Sequence, residues 1–162
     1  MLETTGIPDK EQIAAVLPGE ARKKEGSVAI IECYQEIPCN PCADACPRGA
    51  ITVAPIHERP QLDEAKCNGC GICLTHCPGL AIVVTDYQYS ETEALLKLPY
   101  EFTPLPQEGE ILAGCNREGE PIVDVKVLRV QRSANKTHVL WLAVAKAQVD
   151  AVRFVRRKEE KL

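Results

Sequence analysis

Cysteine is the residue type dense and regular enough in this chain to do chemistry. Nine occur in 162 residues, and eight of them lie between Cys33 and Cys77. Four stand in the run Cys67-x2-Cys70-x2-Cys73-x3-Cys77, with Pro78 after the last. A second set, Cys39-x2-Cys42-x3-Cys46, is followed in the same way by Pro47. Three thiolates two residues apart suit one iron-sulfur cubane, because a tight loop delivers each sulfur to a different iron. The fourth, set apart by x3 and a proline, is carried to a second cluster, so two such runs exchange their last ligands. Gly69 and Gly71 suit that loop: backbone close to an inorganic cluster leaves little room for side chains, and its N–H groups can bond the sulfurs.

The first run departs from this pattern. Three residues before Cys39 stands Glu36 where a cysteine is expected, and Cys33 lies three residues further upstream. A widened loop over residues 34–38 that still delivers the Cys33 thiolate is preferred, because four-cysteine ligation is the usual arrangement. One 4Fe-4S cluster then takes Cys33, Cys39, Cys42 and Cys77, and the other takes Cys67, Cys70, Cys73 and Cys46. Two alternatives stay open at this level. One is a 3Fe-4S cluster on Cys39, Cys42 and Cys77 with Cys33 spare. The other is a Glu36 carboxylate ligand, harder than thiolate.

Zinc also binds paired C-x2-C units, but it gives no reason for three consecutive x2-spaced cysteines or for a proline after the final one in both runs. An odd count of nine fits a disulfide framework poorly. The start of the chain has neither a basic segment nor the apolar run of a secretory signal, and the longest apolar stretch, residues 139–145, is far short of the roughly 20 residues of a membrane span. A soluble cytoplasmic location is the expectation, and in reducing cytosol clustered thiols read as a metal site.

The elements that must position these thiols repeat. The eight residues from Cys46 match the eight from Cys77 at Cys, Pro, Ala, Ile and Val with a constant offset of 31. Each copy reads as a strand, a cysteine loop, one helical turn begun by the proline, and a second strand, the two copies pairing with pseudo-two-fold symmetry. Residues 1–26 form an N-terminal arm with one short helix, started near Pro8, Asp9 and Glu11 and stopped by Pro18-Gly19. A strand is expected at residues 28–31. Residues 92–98 read as a short helix, and Pro99, Pro104 and Pro106 as part of a linker over 91–108. Residues 109–162 show strand patterns around 111–113, 122–130 and 139–144 and at 152–155, with turns at 116–120 and 133–136 and a helical turn at 145–150. The fold class is therefore α+β: a ferredoxin-like two-cluster domain at 27–90 plus a small, mainly β C-terminal barrel or sandwich, with Trp141 as its core anchor and a basic tail.

Charge and the remaining motifs mostly exclude. The net −4 of the chain equals that of residues 27–90 alone, the flanking segments being −1 and +1. No segment before the tail has the basic excess of a nucleic-acid binder, and Glu159 and Glu160 interrupt the tail. There is no Gly-rich phosphate loop, G-x-S-x-G or H-E-x-x-H, and His57 and His138 belong to no constellation, so a non-catalytic role is expected. His76 is read equally as a cluster neighbour or a packing residue, and Cys115 as a small buried apolar residue.

Residues 27–90 resemble a two-cluster bacterial-type ferredoxin domain, on Cys67, Cys70, Cys73, Cys77 and Pro78, on Cys39, Cys42, Cys46 and Pro47, and on the repeated Ala-Ile after each. Through Ile30-Ile31-Glu32-Cys33-Tyr34-Gln35-Glu36-Ile37-Pro38-Cys39-Asn40-Pro41-Cys42 the chain is also similar to the small ferredoxin-like subunit of multi-subunit, flavin-dependent amino-acid or amine dehydrogenases, the proline, hydroxyproline and sarcosine type. That resemblance implies an electron-transfer subunit relaying single electrons to or from a flavoprotein partner in a hetero-oligomer. A stand-alone ferredoxin and a structural or regulatory iron-sulfur or zinc protein are the alternatives.

Overall fold

Four consecutive apolar residues, Val28–Ile31, form a strand whose two faces enter different layers. Val28 and Ile30 enter one apolar core, and Ala29 and Ile31 enter another. This explains why the segment reads as an unbroken apolar run rather than an alternating one. The computed structural model describes residues 2–158. Its elements begin with α1 (Leu2–Thr5), α2 (Lys10–Val16), a 3-10 turn (Arg22–Lys24), β1 (Val28–Ile31), α3 (Pro41–Ala45), β2 (Ile51–Thr52) and β3 (Gln61–Leu62). They continue with α4 (Ile72–His76), β4 (Ile82–Asp86), β5 (Glu93–Tyr100), β6 (Ile111–Cys115), β7 (Pro121–Gln131), β8 (His138–Ala145) and β9 (Phe154–Arg156). Seven strands make one antiparallel sheet in the order β1-β4-β5-β8-β7-β6-β9, and β2 and β3 make a separate pair.

The N-terminal arm is built as its sequence indicates. Asp9 caps α2 by accepting from the Gln12 N–H at 2.8 Å, while the Gln12 side chain accepts from the Asp9 N–H at 2.9 Å. This reciprocal box satisfies two N–H groups that a helix start leaves unpaired. Val16 and Leu17 then pack against the core. Arg22 fastens the arm: its guanidinium donates to the carbonyls of Glu64, Gly26, Ser27 and Cys67 at 2.7–3.1 Å.

Three expectations are corrected. Residues 92–98 are not helical, and the proposed linker holds β5, which pairs with β4 on one side and β8 on the other. Ala, Leu, Glu and Lys favour helices in isolation, but Ala94, Leu95, Leu96, Lys97 and Leu98 are all buried, and burial of both faces in a central strand overrides that preference. Pro99 is tolerated near the strand end, in register with Val139. Second, the short helices precede the Cys-Pro steps instead of following them. Cys46 and Cys77 are the C-caps of α3 and α4, with near-identical extended backbones (φ −72°, ψ 109° and φ −71°, ψ 112°). A residue before proline is pushed out of the helical region, so each helix must stop there. Third, residues 145–150 form hydrogen-bonded turns, with the Gln148 N–H donating to the Ala145 carbonyl at 2.8 Å, and not a helix.

The strands of residues 109–158 extend the same sheet that contains β1 and β4. That sheet curls: Tyr100 of β5 stacks on Phe154 of β9 with ring centroids 6.2 Å apart, and Phe102 meets Phe154 edge-on at 5.6 Å. Inside the curl, Val28, Ile30 and Val83 share one core with Leu98, Leu112, Leu140, Val152 and Val155. On the outer face Ala29, Ile31, Ile82, Val84 and Val139 pack against α3, α4 and the cysteine loops. Trp141 belongs to this outer layer, because its register puts it on the face of Val139 and opposite to Leu140 and Leu142. It is half-buried, with its Nε1–H donating to Gln131 at 3.2 Å, and is not the anchor of the inner core.

Candidate metal centre

The outer layer holds two cavities, and each is lined by four cysteines. Cys46, Cys67, Cys70 and Cys73 surround a space walled by Ala29, Ile51 and Leu62. Cys33, Cys39, Cys42 and Cys77 surround one walled by Ile31, Ile37 and Ile82. Each cavity draws three thiols from one segment and the fourth from the other, because the Cys-Pro step at the end of each short helix turns the last sulfur towards its neighbour's loop. Glu36 is exposed and lies outside the lining of both cavities, whereas Cys33 sits on the wall of the second.

Backbone N–H groups point at the sulfurs. Ala50 donates to Cys46 Sγ at 3.3 Å and Ala81 to Cys77 Sγ at 3.4 Å. These are the repeated alanines of the two runs, so the 31-residue match has a physical purpose. Cys67 Sγ accepts from Gly69 at 3.4 Å and from Ala29 of β1 at 3.5 Å. Gly69 has φ +67°, and a Cβ there would lie 2.6 Å from the Ser27 carbonyl carbon, so only glycine fits.

The thiols also act on one another in the same two groups. Burial, then the charges of Cys77 and Cys39, push the Cys33 thiol up, and Cys42 responds to burial and to the same pair. Cys73 is pushed up to about 12 by burial and by Cys67, Cys70 and Cys46. For Cys46 burial acts upwards too, but the N–H groups of Ala50, Arg48, Ile51 and Gly49 outweigh it and hold the thiol below its ordinary value. Among the described residues no three His, Cys, Asp or Glu side chains converge to share one metal ion. The sulfurs instead ring a volume, which fits a group of several metal and sulfide atoms with soft thiolate ligands.

The other residues singled out in the sequence stand apart. Cys115 is buried in β6, with its thiol 3.6 Å from the Ala113 carbonyl. His76 Nδ1 lies 2.9 Å from the Ile72 carbonyl of its own helix, His57 is exposed, and His138 accepts from the Ser133 N–H at 3.0 Å. Two side chains near the cysteines gave no motif: Arg22, for which the sequence has no signal, and Lys97, whose signal is a lone charge inside the apolar stretch of β5.

Residues 37–81 match the family model of the 4Fe-4S dicluster domain. The chain carries a ferredoxin-type iron-sulfur domain. Cys33 lies just outside the matched residues and yet lines the second cavity. Among characterised proteins the chain is 42% identical over 52 residues to the "Ferredoxin-type protein NapF" of Escherichia coli strain K12, an overlap covering 30% of this chain and 32% of that protein. It is 40% identical over 80 residues to an "Iron-sulfur protein" of Rhodospirillum rubrum, covering 46% of this chain and 40% of the relative. The chain thus spans about a third of the E. coli relative and two fifths of the other. No solved structure matches it significantly. No described helix is long and apolar enough to cross a membrane.

Proposed function

We propose that the chain is an electron-transfer subunit that relays single electrons through two 4Fe-4S clusters, to or from a flavoprotein dehydrogenase. The observation that carries this reading is the pair of cavities, each lined by four thiols and together using all eight cysteines of the repeat. Cys33, Cys39, Cys42 and Cys77 hold one cluster, and Cys46, Cys67, Cys70 and Cys73 the other. Bound there, each cluster supplies a one-electron redox couple at a potential set by its surroundings. The chain's own residues contribute the rest. Ala29, Ala50, Gly69 and Ala81 direct N–H dipoles at ligand sulfurs, which favours added negative charge. Ile31, Ile51, Leu62 and Ile82 keep water from the cavity walls.

A fixed partner is supported by apolar side chains left exposed beside the second cavity. Ile37 on its rim is 45% exposed and Ile56 53%, with the Ile56 carbonyl accepting from the Cys39 N–H at 3.2 Å. A flavin in that partner would supply the two-electron chemistry, and this chain would carry the electrons to or from it singly. Anaerobic purification from the native host tests both halves. Iron and sulfide near eight of each per chain, with a co-eluting flavoprotein, is expected. Four of each overturns the two-cluster reading, and a stable monomer without flavin overturns the partner.

A further inference from the structure

A cross-strand row runs along the outer face of the sheet: Ala29, Val84, Lys97, Trp141 and Arg129 stand side by side on β1, β4, β5, β8 and β7. It begins at the first cavity, where the Ala29 N–H reaches Cys67 Sγ and Val84 touches the Gly71 position. Its third member is a lysine that is only 9% exposed. The Lys97 ammonium lies 3.4 Å from the Gly69 carbonyl, between Cys67 and Cys70, and 4.2 Å from the centre of the Trp141 ring. Arg129 covers the same ring at 5.0 Å. Among the described residues no carboxylate forms an ion pair with Lys97. Burial lowers its pKa, and the largest opposing influence is the negative charge of Cys70, ahead of Asp86.

A buried ammonium without a carboxylate partner is costly unless another anion balances it. Here the strongest anionic influence in its surroundings is the thiolate set of this cavity, Asp86 being weaker and outside ion-pair distance. Two further cations hold the same loop by its carbonyls, Arg22 at Cys67 (2.9 Å) and Arg48 at Lys66 (2.5 Å). The second cavity has no cation among its lining residues, where Glu58 is the ionisable group other than cysteine; Arg59 acts on Cys33 from outside that lining, more weakly than Cys77 and Cys39 do.

We propose that Lys97 is the fixed counter-charge of the cluster held by Cys46, Cys67, Cys70 and Cys73, and that it makes this cluster the easier of the two to reduce. The inference rests on the two-cluster reading above. Reduction adds one electron from an external donor and breaks no bond, and Lys97 keeps its proton, so the cation stabilises the added charge directly. Electrons then settle on the cluster beside Lys97, and the one under Ile37 is the harder to fill.

The test is a dithionite titration followed by EPR on the whole chain, preceded by iron and sulfide counting. In the unsubstituted chain the count decides the two-cluster reading by itself. In Lys97→Met, with its iron retained, one cluster is expected to lose at least about tenfold in its reduction equilibrium, about 59 mV for one electron. The other cluster is expected to keep its potential, and Lys97→Arg to keep both. Lys97→Gln serves the same purpose if the Met variant does not hold its clusters. Unchanged potentials, or equal shifts of both clusters, overturn the proposal while the two-cluster reading stands. Loss of iron in both neutral variants makes Lys97 a structural residue and overturns it as well.

Discussion

Cys33 and Glu36 compete in the sequence for one ligand position, and burial separates them. The carboxylate is exposed, and the thiol lies on the cavity wall with Cys39, Cys42 and Cys77. Cys33→Ser is expected to reduce the iron content of one cluster and to give a three-iron EPR signal after oxidation, whereas Glu36→Gln leaves both counts unchanged. A second residue-scale device lies far from the thiols. The Tyr87 hydroxyl donates to Asp150 at 2.5 Å, and Lys23 lies 3.8 Å from the same carboxylate and 5.1 Å from the Tyr87 ring. Burial, then the bond to Asp150, hold the Tyr87 proton far more tightly than in an unfolded chain. A proton bound more tightly in the folded state stabilises it fully below the ordinary tyrosine value and is lost as pH rises, here from about pH 10 upwards. Tyr87→Phe is therefore expected to cost about 1.5–3 kcal/mol at pH 8 and to flatten the alkaline loss. Denaturant midpoints at pH 8 and above 10 measure both.

Elements show where the sequence was legible and where it was not. The helix start at Asp9, the β1 run, the turns at 116–120 and 133–136, and strands β6, β7 and β8 follow from local chemistry, and the structure repeats them. The grouping of the thiols is as readable, because spacing in a tight loop sets which sulfurs face one cavity. What failed was set from outside the segment. Residues 93–98 carry helix-forming side chains and become a central strand only because β4 and β8 lie on either side. The Cys-Pro steps read locally as helix starts, but the restriction that proline imposes acts on the residue before it and ends the helix there. Gly69 carries a test at this scale. Gly69→Ala drives a Cβ against the Ser27 backbone at a positive φ, so the loop must move. The expected outcome is loss of iron from the Cys67 cavity with retention in the other, read by iron counting and visible absorbance.

For the whole molecule, the division into a cysteine domain and a separate β unit gives way to a continuous sheet with chemistry on its outer face. The ends of that sheet are tied at Glu32, just after β1. Arg117 from the β6–β7 turn binds its carboxylate at 2.5 and 2.9 Å, and Arg153 before β9 at 2.6 Å, all three side chains being nearly buried. Burial acts to raise the Glu32 pKa, but the two guanidiniums outweigh it and hold the carboxyl below the usual carboxylate range. Removing one partner of a buried ion pair leaves the others uncompensated and costs about 3–5 kcal/mol. Glu32→Gln is expected to lose stability of that order in chemical denaturation. Far-UV circular dichroism and cluster absorbance should fall together, since core and cysteine layer share the same strands. No sequence pattern announced this tie, because its partners lie 85 and 121 residues from Glu32 along the chain.

The exchange of last thiols between the two loops also orders events as the chain leaves the ribosome. The first segment to emerge supplies Cys33, Cys39 and Cys42 to a cavity that lacks its fourth thiol until Cys77, and Cys46 waits for a loop that closes at Cys73. Neither cavity has its full complement early, and both reach it within four residues of each other. Lys97 and the strands beyond it emerge only afterwards, so both thiol sets are present before the sheet that backs them can close.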